Sequence, residues 1–147
     1  MLWAYQDVVE AARNMILIVD DEPSDLELMR ETLASAGYTT ITATNGREAL
    51  AVYEQYPGQI RLLLSDVAME PIGGCELARR LIKAQKDLAV MFVSAYAGAQ
   101  ALNYKIPGLS SAAFLQKPFT PEELLANVRE FIQPYRVSGA SSGQSEP

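Results

Sequence analysis

Apolar residues in this chain follow two rhythms. In some stretches they stand side by side, and between those stretches they recur every third or fourth residue. The first rhythm fits strands buried on both faces, the second amphipathic helices. The continuous runs are Met15 to Val19, Ile60 to Ser65, Leu88 to Val93 and a brief Ala112 to Leu115, with a more polar run from Thr39 to Ala43. After the first run, Pro23 and Ser24 open a helix whose inner face is Leu26, Met29, Leu33 and Ala36, and Gly37 stops it. Asn45-Gly46 caps a second helix carrying Ala49, Leu50 and Tyr53, ended by Pro57-Gly58. A third follows Gly73-Gly74 and uses Leu77, Ala78, Leu81 and Ile82. A short Ala-rich fourth helix is expected between Ala97 and Lys105, broken by Pro107-Gly108. Thr120, Pro121 and Glu123 form a capping box with proline at the first helical position. They start a last helix that buries Leu124, Val128, Phe131 and Ile132 and ends at Pro134.

Strands alternating with helices five times over predict an α/β fold, a doubly wound five-stranded parallel sheet with helices on both faces. The folded unit is expected to span residues 14–134. Residues 1–13 read as an extension or linker, helical in part, or as a junction with a larger parent chain. Residues 135–147 have almost no apolar content and are expected to be disordered.

Composition narrows the partners. The 147 residues carry 12 basic and 18 acidic side chains, a net charge of -6, which argues against direct contact with nucleic acid. With no histidine, Ser-His and Cys-His catalysis and histidine metal sites are excluded; with Cys75 as the only cysteine, so is an intrachain disulfide. Cys75 reads as a small, partly buried filler. No apolar run approaches the roughly 20 residues that span a bilayer, and no cationic segment with an apolar core opens the chain. The expected compartment is the cytoplasm.

The predicted strands end in residues that a core does not need. The first ends in Asp20 and Asp21, the third in Asp66, the fourth in Ser94 and the fifth in Lys117. In a parallel sheet these ends share one edge, where doubly wound folds bind ligands. Three carboxylates together repel one another, and a hard divalent cation such as Mg²⁺ removes that problem. An acidic metal cradle beside a lysine and a hydroxyl suits an incoming phosphoryl group, with a carboxylate as nucleophile. Each residue has a plainer reading on its own. Asp20-Asp21 can be a charge effect at a helix start, Lys117 a solvated lysine, Ser94 a strand end and Phe114 a core aromatic.

Taken in order, these pieces resemble a response-regulator receiver domain of two-component signalling. The matching elements are Asp20-Asp21-Glu22 after the first strand, Ser65-Asp66-Val67-Ala68-Met69 at the third and Gly74-Cys75-Glu76-Leu77 entering the third helix. Ser94-Ala95 and Lys117-Pro118-Phe119 complete the set, and the resemblance covers roughly residues 14 to 133. It implies a flavodoxin-like strand order 2-1-3-4-5. It also implies Asp66 as phosphoacceptor and Mg²⁺ bound by Asp21, Asp66 and the Ala68 carbonyl, with Asp20 acting through metal-bound water. Ser94 and Phe114 then stand at switch positions, and Lys117-Pro118 is expected to be cis. The implied donor is a histidine kinase or phosphotransfer protein. The implied output is a changed surface of the fourth helix, fifth strand and last helix, which binds a downstream protein or a second copy. Catalysis would be limited to self-phosphorylation and slow hydrolysis. Three features depart from the family pattern: Glu70 stands where proline is usual, with Pro71 next, Phe114 lacks a hydroxyl, and the segment Gly98 to Ser111 is less typical.

Other functions fit less well. A flavin or nucleotide module wants a Gly- or Ser-rich loop after the first strand, where this chain has Asp-Asp-Glu. An aspartate-nucleophile phosphatase wants an acid two residues past the nucleophile, where this chain has Ala68. The alternative kept is a receiver-like protein-binding scaffold that is not phosphorylated.

Overall fold

A computed structural model describes residues 14–95 and 112–134. The expected fourth helix at 97–105, the extension 1–13 and the tail 135–147 lie outside those residues. The elements in chain order are β1 (Met15–Val19), α1 (Pro23–Ser35), β2 (Thr39–Ala43), α2 (Gly46–Gln55), β3 (Ile60–Asp66), α3 (Gly74–Ala84), β4 (Ala89–Ser94), β5 (Ala113–Gln116) and α4 (Pro121–Arg129). The strands form a single parallel sheet in the order β2-β1-β3-β4-β5, as the resemblance implied.

Alternation along the strands sorts the core into two layers. Leu17, Val19, Leu63, Val90 and Phe92 point to the face covered by α2 and α3, where Ala49, Leu77, Ala78 and Leu81 meet them. Ile16, Ile18, Leu62, Leu64, Met91 and Val93 point to the other face and pack on Met29 and Leu33 of α1 and Leu124 and Val128 of α4. β1, β3 and β4 are covered on both sides, which is why their sequences are apolar without a break. Arg61 is the exception: the β1–β3 register steps from Met15↔Ile60 to Ile16↔Leu62, and the skipped arginine turns out to solvent.

Several boundaries differ from the sequence reading; β4 (Ala89–Ser94) and β5 (Ala113–Gln116) each sit one residue later than expected. β3 runs one residue further, so Asp66 is its last residue and pairs with Val93 of β4. α4 stops at Arg129 rather than near Pro134. Phe131 and Ile132 lie in a tight turn held by their N–H groups on the Val128 carbonyl, and Ile132 is buried there. Their apolar spacing continues after the regular helix has ended. The capping box forms as expected, with Glu123 N–H donating to Thr120 Oγ1 at 3.0 Å and Thr120 N–H to Glu123 Oε1 at 2.9 Å.

The amino edge of the sheet is closed by neutral hydrogen bonds. Tyr38 donates its hydroxyl to the Ile132 carbonyl at 2.8 Å, and Asn14 Nδ2 donates to the Gln133 carbonyl at 2.6 Å. Tyr53 donates to Gln85 Oε1 at 2.7 Å, and Gln85 Nε2 donates to the Ile60 carbonyl at 2.9 Å.

Candidate functional site at the carboxyl edge

The strand order reverses between β1 and β3, and the acids sit there. Val19 pairs with Ser65, so the next residues, Asp20 and Asp66, emerge side by side. Carboxylate oxygens of Asp20, Asp21 and Asp66 lie within 4.8 Å of one another. Asp20 is fully buried, Asp66 is 8% exposed, and Asp21 faces solvent. Opposite ligands of an octahedral Mg²⁺ stand roughly 4.2 Å apart. The three carboxylates therefore offer hard oxygen donors close enough together to be candidate Mg²⁺ ligands.

The loop after β3 is held tightly against this edge. Gly74 N–H donates to the Val67 carbonyl at 2.9 Å. A Cβ on Gly74 would lie 2.1 Å from the Asp66 carbonyl oxygen, so only glycine lets α3 start this close to the end of β3. The same carbonyl accepts from Ser65 Oγ at 2.8 Å. Ala68 is exposed on the loop, two residues past Asp66, and exposed Glu70 enters a cis peptide bond with Pro71.

Lys117 reaches the acids from the other side. Its peptide N–H donates to the Ser94 carbonyl at 2.9 Å, which ties the end of β5 to the end of β4. Lys117-Pro118 is cis, as expected. The ammonium donates to Asp20 Oδ2 at 2.8 Å and to Asp25 Oδ2 at 2.9 Å, and lies 3.9 Å from Asp66 Oδ2. Ser94 is buried at the end of β4. Phe114 is partly buried, and its ring packs on Phe92 with centroids 5.2 Å apart, so in this state it serves the core.

These charges do not balance. Burial first, then the negative charge of Asp20, pushes the Asp66 carboxyl up to about 6, against the opposing pull of Lys117. Burial also raises Asp20, although Lys117 and the Glu22 N–H both favour its ionised form. Burial alone would lower Lys117, but its hydrogen bonds to Asp20 and Asp25 and the charges of Asp20 and Asp66 hold its proton more tightly than usual.

All the predicted polar residues thus lie at one edge, together with one more, Asp25, that the sequence reading missed. Asp25 looks like any acid in a helical first turn, where the helix dipole already explains it; only coordinates reveal the lysine in front of it. A cleft of about 770 Å³, lined by Tyr53, Glu54, Arg61, Gln85 and Asp87 among others, opens at the opposite edge and contains none of these acids. Charge and convergence, rather than concavity, mark the site. Among the described residues, no helix is long and apolar enough to cross a membrane.

Comparison with known proteins agrees with this geometry. The model of the response regulator receiver domain family matches residues 16–129. Sensor kinase CckA of Brucella abortus is 35% identical over 118 residues, which cover 80% of this chain and 12% of that protein. Response regulator MprA of Mycolicibacterium vanbaalenii is 34% identical over 121 residues, covering 80% of this chain and 50% of the relative. The chain therefore spans half or less of the length of these curated relatives. The solved chemotaxis protein CheY4 of Vibrio cholerae superposes with a TM-score of 0.72 at 27% identity, covering 82% of this chain and 100% of its own. The receiver domain of hybrid histidine kinase CckA gives 0.69 at 31% identity, covering 81% and 99%.

Proposed function

Because the chain belongs to the response regulator receiver domain family, and so is a phosphorylation-activated switch of two-component signalling, we propose that Asp66 accepts a phosphoryl group from the phosphohistidine of a histidine kinase or phosphotransfer protein. One observation carries this assignment. Asp66 ends the central strand beside two further acids on one side, with the Lys117 ammonium 3.9 Å from its carboxylate on the other. An Asp66 oxygen attacks phosphorus in line, the P–N bond to the donor imidazole breaks, and the imidazole takes up a proton as it leaves. These 147 residues contain no histidine, so the donor imidazole lies outside them.

Mg²⁺ would be held by Asp20, Asp21 and Asp66 with the Ala68 carbonyl, and supplies positive charge against the phosphoryl oxygens. Lys117 adds an ammonium to the same charge. Ser94, buried at the end of β4, donates its hydroxyl to the phosphoryl group, which draws the following segment toward Asp66. Phe114 then leaves its packing on Phe92, and the surface including β5 and α4 shifts between two states. That surface binds a downstream protein or a second copy. Turnover is limited to self-phosphorylation and slow hydrolysis, and the proposed compartment is the cytoplasm. The folded unit is residues 14–134.

The test is incubation with acetyl phosphate, with and without Mg²⁺, followed by intact-mass measurement. One added phosphoryl group is expected, dependent on the metal and absent in Asp66→Ala. Labelling that survives this substitution assigns the wrong acceptor. No labelling of the wild type by acetyl phosphate or a phosphorylated kinase favours the scaffold reading instead.

A further inference from the structure

The geometry points to Asp25 as a positioning residue for the phosphoryl site: with Asp20 it holds the Lys117 ammonium just short of Asp66. This rests on Asp66 being the phosphoacceptor. An ammonium has three N–H donors. Two are spent here, on Asp20 at 2.8 Å and Asp25 at 2.9 Å. The distance from Nζ to Asp66 Oδ2, 3.9 Å, is too long for a hydrogen bond and short enough for a strong field. The third N–H therefore remains for an oxygen arriving on Asp66.

Asp25 decides where that ammonium rests. Lys117 is only 15% exposed, so water cannot readily replace a lost partner. Without the Asp25 carboxylate, the nearest anionic acceptor after Asp20 is Asp66 itself. Closing that gap would place a charge-assisted hydrogen bond on the nucleophile and make its oxygens poorer attackers. Asp25 thus acts through Lys117 and leaves the reacting oxygens of Asp66 unencumbered. Its placement follows from the fold: α1 starts at Pro23, after the N-cap Glu22 that follows the acidic pair, and Asp25 in the first turn meets Lys117 just past the end of β5.

The experiment compares wild type, Asp25→Asn, Asp25→Glu and Glu27→Gln. Glu27 lies on the same helix, carries the same charge and pairs with Arg30 instead of Lys117. The expected result with acetyl phosphate and Mg²⁺ is uptake about fivefold slower in Asp25→Asn, largely restored in Asp25→Glu and unchanged in Glu27→Gln. A second readout needs neither metal nor phosphodonor. Couplings across hydrogen bonds from Lys117 Nζ should reach the Asp20 and Asp25 carboxylates in the wild type, and the Asp66 carboxylate in Asp25→Asn. Equal slowing in Asp25→Asn and Glu27→Gln would reduce the effect to general charge and overturn the inference. Unchanged or faster uptake in Asp25→Asn, or no coupling to Asp25 in the wild type, would overturn it as well. Wild-type protein that takes up no phosphoryl group overturns the underlying assignment of Asp66 and this role with it.

Discussion

The two edges of the sheet use polar groups in opposite ways. At the amino edge, Tyr38, Asn14 and Gln85 donate to backbone carbonyls that the strands and helices leave over. Each of these bonds joins neutral groups. At the carboxyl edge, Asp20, Asp25 and Asp66 face one lysine with Asp21 close by, and the carboxyl of Asp66 is driven up to about 6. The first arrangement holds the fold together. The second, with Asp66 buried among like charges, works against it. The contrast separates stability from function: changes at the amino edge should weaken the protein without altering its chemistry, whereas removing the Asp66 charge at the carboxyl edge should strengthen it and abolish its chemistry.

The largest effect is expected where the two demands meet, at Gly74. In Gly74→Ala the new methyl would meet the Asp66 carbonyl at 2.1 Å, and backbone must move. We expect a loss of about 3 kcal/mol in urea unfolding, together with loss of the Mg²⁺-dependent rise in melting temperature. An unperturbed midpoint would mean that the loop after β3 yields easily.

Next comes Asp66→Asn, which should stabilise the metal-free protein by roughly 2 kcal/mol at pH 7.5. The folded carboxyl titrates near 6, above the roughly 3.9 of an unfolded chain. Between these values the native state binds more protons, so this group's contribution to wild-type stability falls as pH rises from about 4 to about 6 and then levels. The advantage of the asparagine variant should therefore grow across that window and disappear near pH 4. Mg²⁺ should narrow it again at pH 7.5. Chemical unfolding at several pH values checks the sign; an asparagine variant less stable than wild type at pH 7.5 would show that the attraction of Lys117 outweighs burial.

The smallest effect tests the amino edge. Tyr38→Phe leaves the Ile132 carbonyl without its donor and should cost about 1 kcal/mol. Phosphoryl uptake should be unchanged. A slowed uptake would mean that the two edges are coupled through the sheet.

The sequence revealed these two edges unequally. The carboxyl edge was legible because strand ends in a parallel sheet converge, so Asp20, Asp66, Ser94 and Lys117 could be gathered from apolar runs alone. Asp25 was not, since an acid in a first helical turn carries no mark of its partner. The amino edge was equally hidden. Tyr38 and Ile132 are 94 residues apart, and neither a tyrosine before a strand nor an isoleucine after a helix announces a bond between them. The early end of α4 was missed because Phe131 and Ile132 keep a helical spacing while the backbone turns. Burial continued where regular hydrogen bonding did not.

The bond between Asn14 and the Gln133 carbonyl brings the first and nearly the last described residues to one corner, away from the phosphoryl edge. A unit whose entrance and exit adjoin can be spliced into a surface loop of a host protein without prying that loop apart. It can also be rewired. A short bridge from Gln133 to Asn14, with new ends opened at Gly58, where no neighbouring atom lies within 4 Å of the Cβ position, would reorder the sequence while leaving the acids and the lysine where they stand.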